Sequence, residues 1–172
     1  MLYICVMELE LAKEKFYQTW GTMGSSWGIN RTMAQIHAFL LVNDDSVTAE
    51  EIMEQLKISR GNVNMNLRSL IDWGLVQRKI VAGERKEYFV AEKDIWKISR
   101  LIARERRKEE LEPALKILDE LRSIKENDLE SKKFKTKINE IHSIASTVDT
   151  ILQKFINSND NWLIKLIKYI IK

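Results

Sequence analysis

The hydrophobic positions of this chain recur mostly at spacings of three and four, and that rhythm predicts a mainly helical fold. Over residues 2–27, Leu9, Ala12, Phe16, Trp20, Met23 and Trp27 fall on one helical stripe. Gly21, Gly24 and Gly28 either weaken the end of that helix or let another helix approach closely. Asn30 is placed to cap a second helix, with Met33, Ile36, His37, Leu40 and Leu41 on its inner face. Asn43-Asp44-Asp45-Ser46 reads as a turn. Thr48-Ala49-Glu50-Glu51 has the spacing of a capping box, in which Thr and Glu reciprocally satisfy orphan backbone donors. It opens a short helix with Ile52, Met53 and Leu56 inward. Ser59 caps the next helix, over residues 60–73, which buries Val63, Leu67, Leu70 and Ile71 and ends at Gly74.

The period then changes. Residues 75–81 read as a strand, Ala82-Gly83-Glu84-Arg85 as a turn and residues 86–90 as the returning strand, the only convincing strand signal in the chain. Asp94 opens a long helix to Leu121, with a kink or break expected at Pro113 and a seam of Ile95, Ile98, Ile102, Leu111, Leu115 and Leu118. After Asp128, the residues Phe134, Ile138, Ile141, Ala145, Val148, Leu152 and Phe155 alternate four and three apart, a coiled-coil-like seam. Trp162 to Lys172 reads as a last amphipathic helix with Lys165, Lys168 and Lys172 on one face. The fold class is therefore mainly α with a small β-hairpin, a winged helix-turn-helix plus a helical dimerisation region. The divisions are an N-terminal packing helix (1–29), a winged helix-turn-helix (30–92) and a C-terminal helical dimerisation region (93–172).

That order of elements predicts binding to double-stranded DNA. With Val63, Leu67 and Leu70 buried, helical phase turns Gly61, Asn62, Met65, Arg68 and Ser69 outward, with Asn64 and Asn66 on the flanks. Amide and guanidinium groups suit base edges in the major groove. Ser59 and Arg60 lie at the helix start, and Gly61 removes bulk where a recognition helix comes closest to DNA. On the hairpin, Arg78, Lys79, Arg85 and Lys86 suit phosphate or the adjacent minor groove.

Charge localises the same region. The whole chain of 172 residues carries only +3. Residues 59–108 hold thirteen basic and six acidic side chains, a net +7, so the remainder is slightly acidic.

The segments Phe16-Tyr17-Gln18-Thr19-Trp20-Gly21, Trp27-Gly28-Ile29-Asn30-Arg31, Leu56-Lys57-Ile58-Ser59-Arg60-Gly61-Asn62-Val63, Leu67-Arg68-Ser69-Leu70 and Trp73-Gly74-Leu75-Val76, ending near Arg104-Glu105-Arg106-Arg107-Lys108, resemble the GbsR branch of the MarR-type winged-helix regulators. The resemblance covers about the first two-thirds of the chain. It implies a dimeric transcriptional regulator, often a repressor, with a recognition helix at 59–73 and a wing at 80–89. Some members of that branch respond to choline or glycine betaine. The resemblance thus leaves room for a small-molecule effector of unknown identity as a partner, with quaternary ammonium compounds as the candidate chemistry. Aromatic cages suit such ligands, and Phe16, Tyr17, Trp20 and Trp27 are the candidates here. The alternative is that these aromatics belong to the core or a dimer stripe. The seam from Phe134 to Phe155 either pairs two subunits or folds back on the helices at 94–121 or 2–27.

Catalysis is not expected. His37 and His142 are isolated, and no phosphate-cradling glycine loop, nucleophile elbow or metal-ligand cluster occurs, so no cofactor or metal is expected. Cys5 is the sole cysteine, which excludes an intrachain disulfide and suits a reducing cytoplasm. Nothing reads as a signal peptide or a membrane span. A second reading takes the winged fold as an interaction module held at a membrane surface by the lysine-faced segment 162–172. The plainer alternative packs that segment across the dimer.

Overall fold

The computed structural model describes residues 8–26, 28–125 and 128–158. They fall into two units, divided between Asp94 and Ile95. The first holds α1 (Leu9–Ser26), α2 (Arg31–Val42), β1 (Val47–Thr48), α3 (Ala49–Leu56), α4 (Arg60–Asp72), β2 (Val76–Ile80) and β3 (Glu87–Ala91). The second holds α5 (Ile95–Arg106), a π-helical turn (Arg107–Leu111), α6 (Glu112–Arg122) and α7 (Leu129–Asn157).

In the first unit α2 is the central helix. Met33, Ala34, Ile36, His37, Ala38, Phe39 and Leu40 are all buried, because α1, α3, α4 and β3 surround it. Asn30 caps it, accepting from the N–H groups of Thr32 (2.9 Å) and Met33 (3.1 Å). Its other end is held by Lys93, whose ammonium donates to the carbonyls of Leu40 and Leu41, each at 2.9 Å, and of Asn43. Those carbonyls lack intrahelical partners, so a cation there satisfies both hydrogen bonding and the helix dipole.

The face that α1 buries differs from the one its apolar spacing predicts. Tyr17, Gly21 and Gly24 are buried, while Leu9 and Met23 are exposed and Ala12, Phe16 and Trp20 are half-buried. The stripe is displaced by one residue, because backbone approach selects the glycine face. A Cβ on Gly24 would lie 2.7 Å from the Cβ of Ala34, and one on Gly21 2.7 Å from Cγ of Gln35. Trp27 lies outside the described residues.

The hairpin forms as the period predicts, with β2 and β3 antiparallel and Val76 opposite Ala91. The hairpin is not the whole sheet. Val47 and Thr48 pair with Phe89 and Tyr88, giving a three-stranded sheet in the order β1-β3-β2. A two-residue strand has too few positions to show an alternating pattern, so the sequence carries no sign of it.

In the second unit α5 and α6 both pack against α7. The break expected near Pro113 takes the form of a π-helical turn, in which the N–H of Glu112 bonds to the carbonyl of Arg107. Proline lacks an N–H and its ring crowds the carbonyl four residues back, which favours the wider i→i−5 bond just before it. Arg107 binds Asp149 of α7 through two bonds, Nε to Oδ1 at 2.6 Å and Nη2 to Oδ2 at 3.2 Å. Asp128 caps α7 by accepting from the N–H of Ser131 at 2.8 Å. The segment 162–172 lies outside the described residues. Among those described, no helix is long and apolar enough to cross a membrane.

Candidate nucleic-acid interface

The helix-turn-helix is assembled by local rules. Thr48 and Glu51 form the full capping box: the Thr48 N–H donates to Glu51 Oε2 at 2.6 Å, and the Glu51 N–H to Thr48 Oγ1 at 3.3 Å. These bonds hold the Glu51 carboxyl below the ordinary glutamate range. Lys57 ends α3 in the left-handed region at φ +53°, and the Ile58 N–H returns to the carbonyl of Met53. Ser59 then caps α4, accepting from the Asn62 N–H at 3.4 Å. Gly74, at φ +74°, ends the helix and turns the chain into β2.

Val63, Leu67 and Leu70 are almost wholly buried, as the helical phase requires, and Ile71 is half-buried. The opposite face presents Ser59, Arg60, Gly61, Asn64, Met65 and Arg68 to solvent, with Ser69 half-buried. A Cβ on Gly61 would meet nothing within 4 Å, so packing does not require glycine there. Arg68 has no ion-pair partner among the described residues. Arg60 is paired with Glu50 at 2.7 Å.

One amide departs from its expected position. Asn66 is not on the exposed flank but only 3% exposed. Its Nδ2 donates to the carbonyl of Asn62 at 2.8 Å and to Asn62 Oδ1 at 2.7 Å. The helix α4 packs against both α2 and α3, so its buried arc extends beyond the apolar stripe. A buried amide must be satisfied, and Asn62, one turn back, does so. Asn62 is thereby half-buried and engaged, leaving Asn64 as the exposed amide.

The wing is exposed from Gln77 to Glu87. Gly83 supplies φ +87° at its turn. Arg78 is paired with Glu87 at 2.8 Å, and the Tyr88 hydroxyl donates to Glu84. Lys79, Arg85 and Lys86 have no ion-pair partner among the described residues, and the wing keeps a positive balance although Glu84 lies at its turn and the Lys86 charge is felt by Glu51.

The candidate ligand cage separates. Tyr17 is 4% exposed and meets Phe39 edge-on, with centroids 5.8 Å apart, which puts it in the core. Burial raises its phenol above the ordinary range. Phe16 and Trp20 stack on each other at 5.4 Å and remain half-buried. Trp20 also lies 6.2 Å from the ring of His37. His37 is buried, its Nε2 has no partner, and burial with the nearby Lys93 charge lowers its pKa to about 4.

The seam on α7 divides too. Ile138 is buried, Ala145, Leu152 and Phe155 are half-buried, and Phe134, Ile141 and Val148 are exposed. Ile144 and Ile151, which the seam omits, are exposed beside Ile141 and Val148. This helix has two adjacent apolar faces, and a single heptad pattern blends them. Lys93 also escapes sequence reasoning, since no local pattern ties a lysine to carbonyls fifty residues earlier.

Residues 27–87 match the MarR family. A stretch of 76 residues is 33% identical to the HTH-type transcriptional regulator MmpR5 of Mycobacterium tuberculosis, covering 44% of this chain and 46% of that protein. A stretch of 71 residues is 31% identical to the HTH-type transcriptional repressor GbsR of Bacillus subtilis, covering 41% of this chain and 39% of that one. The matched stretches thus span less than half of either relative. A crystal structure of a transcriptional regulator, 21% identical, shares the fold with a TM-score of 0.64, over 84% of this chain and 95% of that one. The capped helix pair, the helix after Ser59 and the first strand of the glycine-turned hairpin all lie within the stretch, residues 27–87, that is similar to the MarR family.

Proposed function

We propose that this protein is a sequence-specific DNA-binding transcriptional regulator, acting as a dimer in the cytoplasm and most simply as a repressor. The observation that carries this reading is the exposed face of α4, where Gly61, Asn64, Met65 and Arg68 stand clear of packing in a MarR-family domain. In this reading α4 enters the major groove with its N-terminal half toward the bases. Asn64 and Arg68 supply the donor and acceptor pattern that distinguishes base pairs. Lys79, Arg85 and Lys86 neutralise phosphates or enter the minor groove, which supports affinity without reading sequence. The twofold arrangement follows from the same physics, since two half-sites a helical turn apart multiply affinity and specificity. The identities of the two named relatives, a regulator and a repressor, support the regulatory role.

Selection of full-length protein against random duplexes tests the proposal, with fluorescence anisotropy on the enriched sequence. A recurrent palindromic motif bound at least about a thousandfold more tightly than scrambled duplex is expected. Gly61→Ala supplies an internal control. It fills open space and raises helix propensity, so stability rises by up to about 1 kcal/mol, while DNA affinity falls because the added methyl meets the duplex. Affinity unchanged by Gly61→Ala would contradict the docking geometry.

A further inference from the structure

We infer that α7 pairs with α7 of a second copy in antiparallel register, through Ile141, Ile144, Val148 and Ile151, with a twofold axis near residue 146. This rests on the dimeric reading above and specifies which surface joins the copies and in which direction.

Ile141, Ile144, Val148 and Ile151 are 46%, 68%, 44% and 50% exposed. A side-by-side set of β-branched residues in solvent on one helix is an unpartnered apolar face, not scattered surface hydrophobicity. The surrounding surface has the composition of an interface centre. From residue 141 to residue 153 the only ionisable side chains are His142 and Asp149. Both are held within the unit: Asp149 by Arg107, and His142 beside Asp119 at 3.1 Å and within reach of Arg122 and Ser146. Long exposed helices ordinarily carry free charge on their outer face, and its depletion marks the core of a protein interface.

The occupant is identified by the spacing. The steps from 141 to 144, 148 and 151 are three, four and three, which read the same in both directions. An antiparallel twofold pair therefore sets Ile141 against Ile151 and Ile144 against Val148 of the other copy. Such a self-complementary patch is what an isologous contact requires. The charges at its ends agree. Glu140 and Lys154 close the uncharged stretch at opposite ends and lie along the same edge of the stripe, by helical phase. Antiparallel pairing brings each close to its opposite on the other copy. Parallel pairing would instead place like residues at the same height. Glu140 now meets Lys137 in an exposed pair one turn back, which is weak enough to yield to an intersubunit partner.

The test uses full-length protein in a Cys5→Ser background. Ile144→Cys and Val148→Cys proteins are oxidised singly and after mixing with exchange of subunits. The expected result is a disulfide-linked dimer from the mixture, at least about tenfold more abundant than from either variant alone. Ile141→Cys mixed with Ile151→Cys should behave alike. Disulfides require Cβ atoms about 3.5–4.5 Å apart, so the reaction reports direct apposition. Independently, Glu140→Lys should weaken dimerisation about tenfold, roughly 1.4 kcal/mol, and Lys154→Glu in the same chain should restore it. Efficient linkage by each single variant alone would overturn the register in favour of parallel pairing. No linkage in a protein that light scattering shows to be dimeric would overturn this surface while leaving the dimer intact. A monomer at tens of micromolar would remove both, and the duplex selection above would still report on DNA binding separately.

Discussion

The two units of this protein handle their hydrophobic surface in opposite ways. Among the described residues of the first, sixteen apolar side chains are buried, from Tyr17 to Ala91, and each described helix packs on a neighbour. In the second, Ile98 and Ile138 are the only buried apolar residues among those described, while Ile117, Ile141, Ile144, Val148 and Ile151 stand in solvent. A unit with a complete core can hold a recognition surface rigidly by itself. The described helices of the second unit enclose little apolar surface among themselves, and the outer face of α7 offers further burial. The difference supports the proposal that one unit reads DNA and the other assembles the dimer.

The largest expected effect probes that contrast directly. Leu67→Ala, in the filled core behind α4, should cost about 2–5 kcal/mol in urea unfolding. Ile144→Ala should change the unfolding of the monomer by no more than about 0.5 kcal/mol, because its side chain is exposed. Comparable losses at both sites would erase the distinction between the units.

Next comes the titration of His37. Its folded pKa of about 4 lies below the ordinary histidine value of 6.5. Above pH 6.5 both folded and unfolded states hold it neutral and no stability is lost. As the pH falls through 6.5 the unfolded state takes the proton first, so stability declines until about pH 4 and then levels. The total is about 3 kcal/mol, from 1.36 kcal/mol per pKa unit. Glu51 and Asp128, both lowered, add their own losses as the pH falls through the carboxylate range. The interval from 6.5 to about 5.5 therefore isolates His37. A His37→Leu protein whose stability is flat across that interval is expected, and one that declines like the parent would contradict the assignment.

Two glycines sharpen the same comparison on a smaller scale. Gly24→Ala should destabilise by about 1–3 kcal/mol despite better helix propensity, because the new methyl overlaps Ala34. Gly61→Ala, facing open space, should have the opposite sign. Thr48→Ala should then cost about 1 kcal/mol through loss of the capping box. Thermal melts of the three variants test the ranking.

Much of this architecture is legible because its determinants are local. Asn30, Thr48, Ser59, Asp128 and Gly74 each mark an element end through bonds spanning a few residues. The buried stripe of α4 follows from its period, and so does the exposure of Asn64, Met65 and Arg68. What is not legible depends on neighbours. The face of α1 is chosen by backbone approach at Gly21 and Gly24, which the sequence offers as one of two readings of those glycines but which hydrophobic spacing does not rank. Asn66 is drawn inside by the packing of α2 and α3 around α4. On α7, Ile144 and Ile151 stay hidden because two apolar faces overlap within one heptad pattern. The residues proposed to read DNA are thus visible in the sequence, and the surface proposed for assembly only half visible.

The most direct test of the account compares Arg68→Ala with Arg85→Ala on the selected duplex and on a scrambled one, across a range of salt concentrations. Arg68→Ala should cost about 1–3 kcal/mol on the selected duplex alone and relax preference at one base pair of each half-site. Arg85→Ala should weaken both duplexes alike and lower the salt slope by about 1 per subunit. The two variants behaving identically, or neither altering binding, would contradict the division of labour between α4 and the wing.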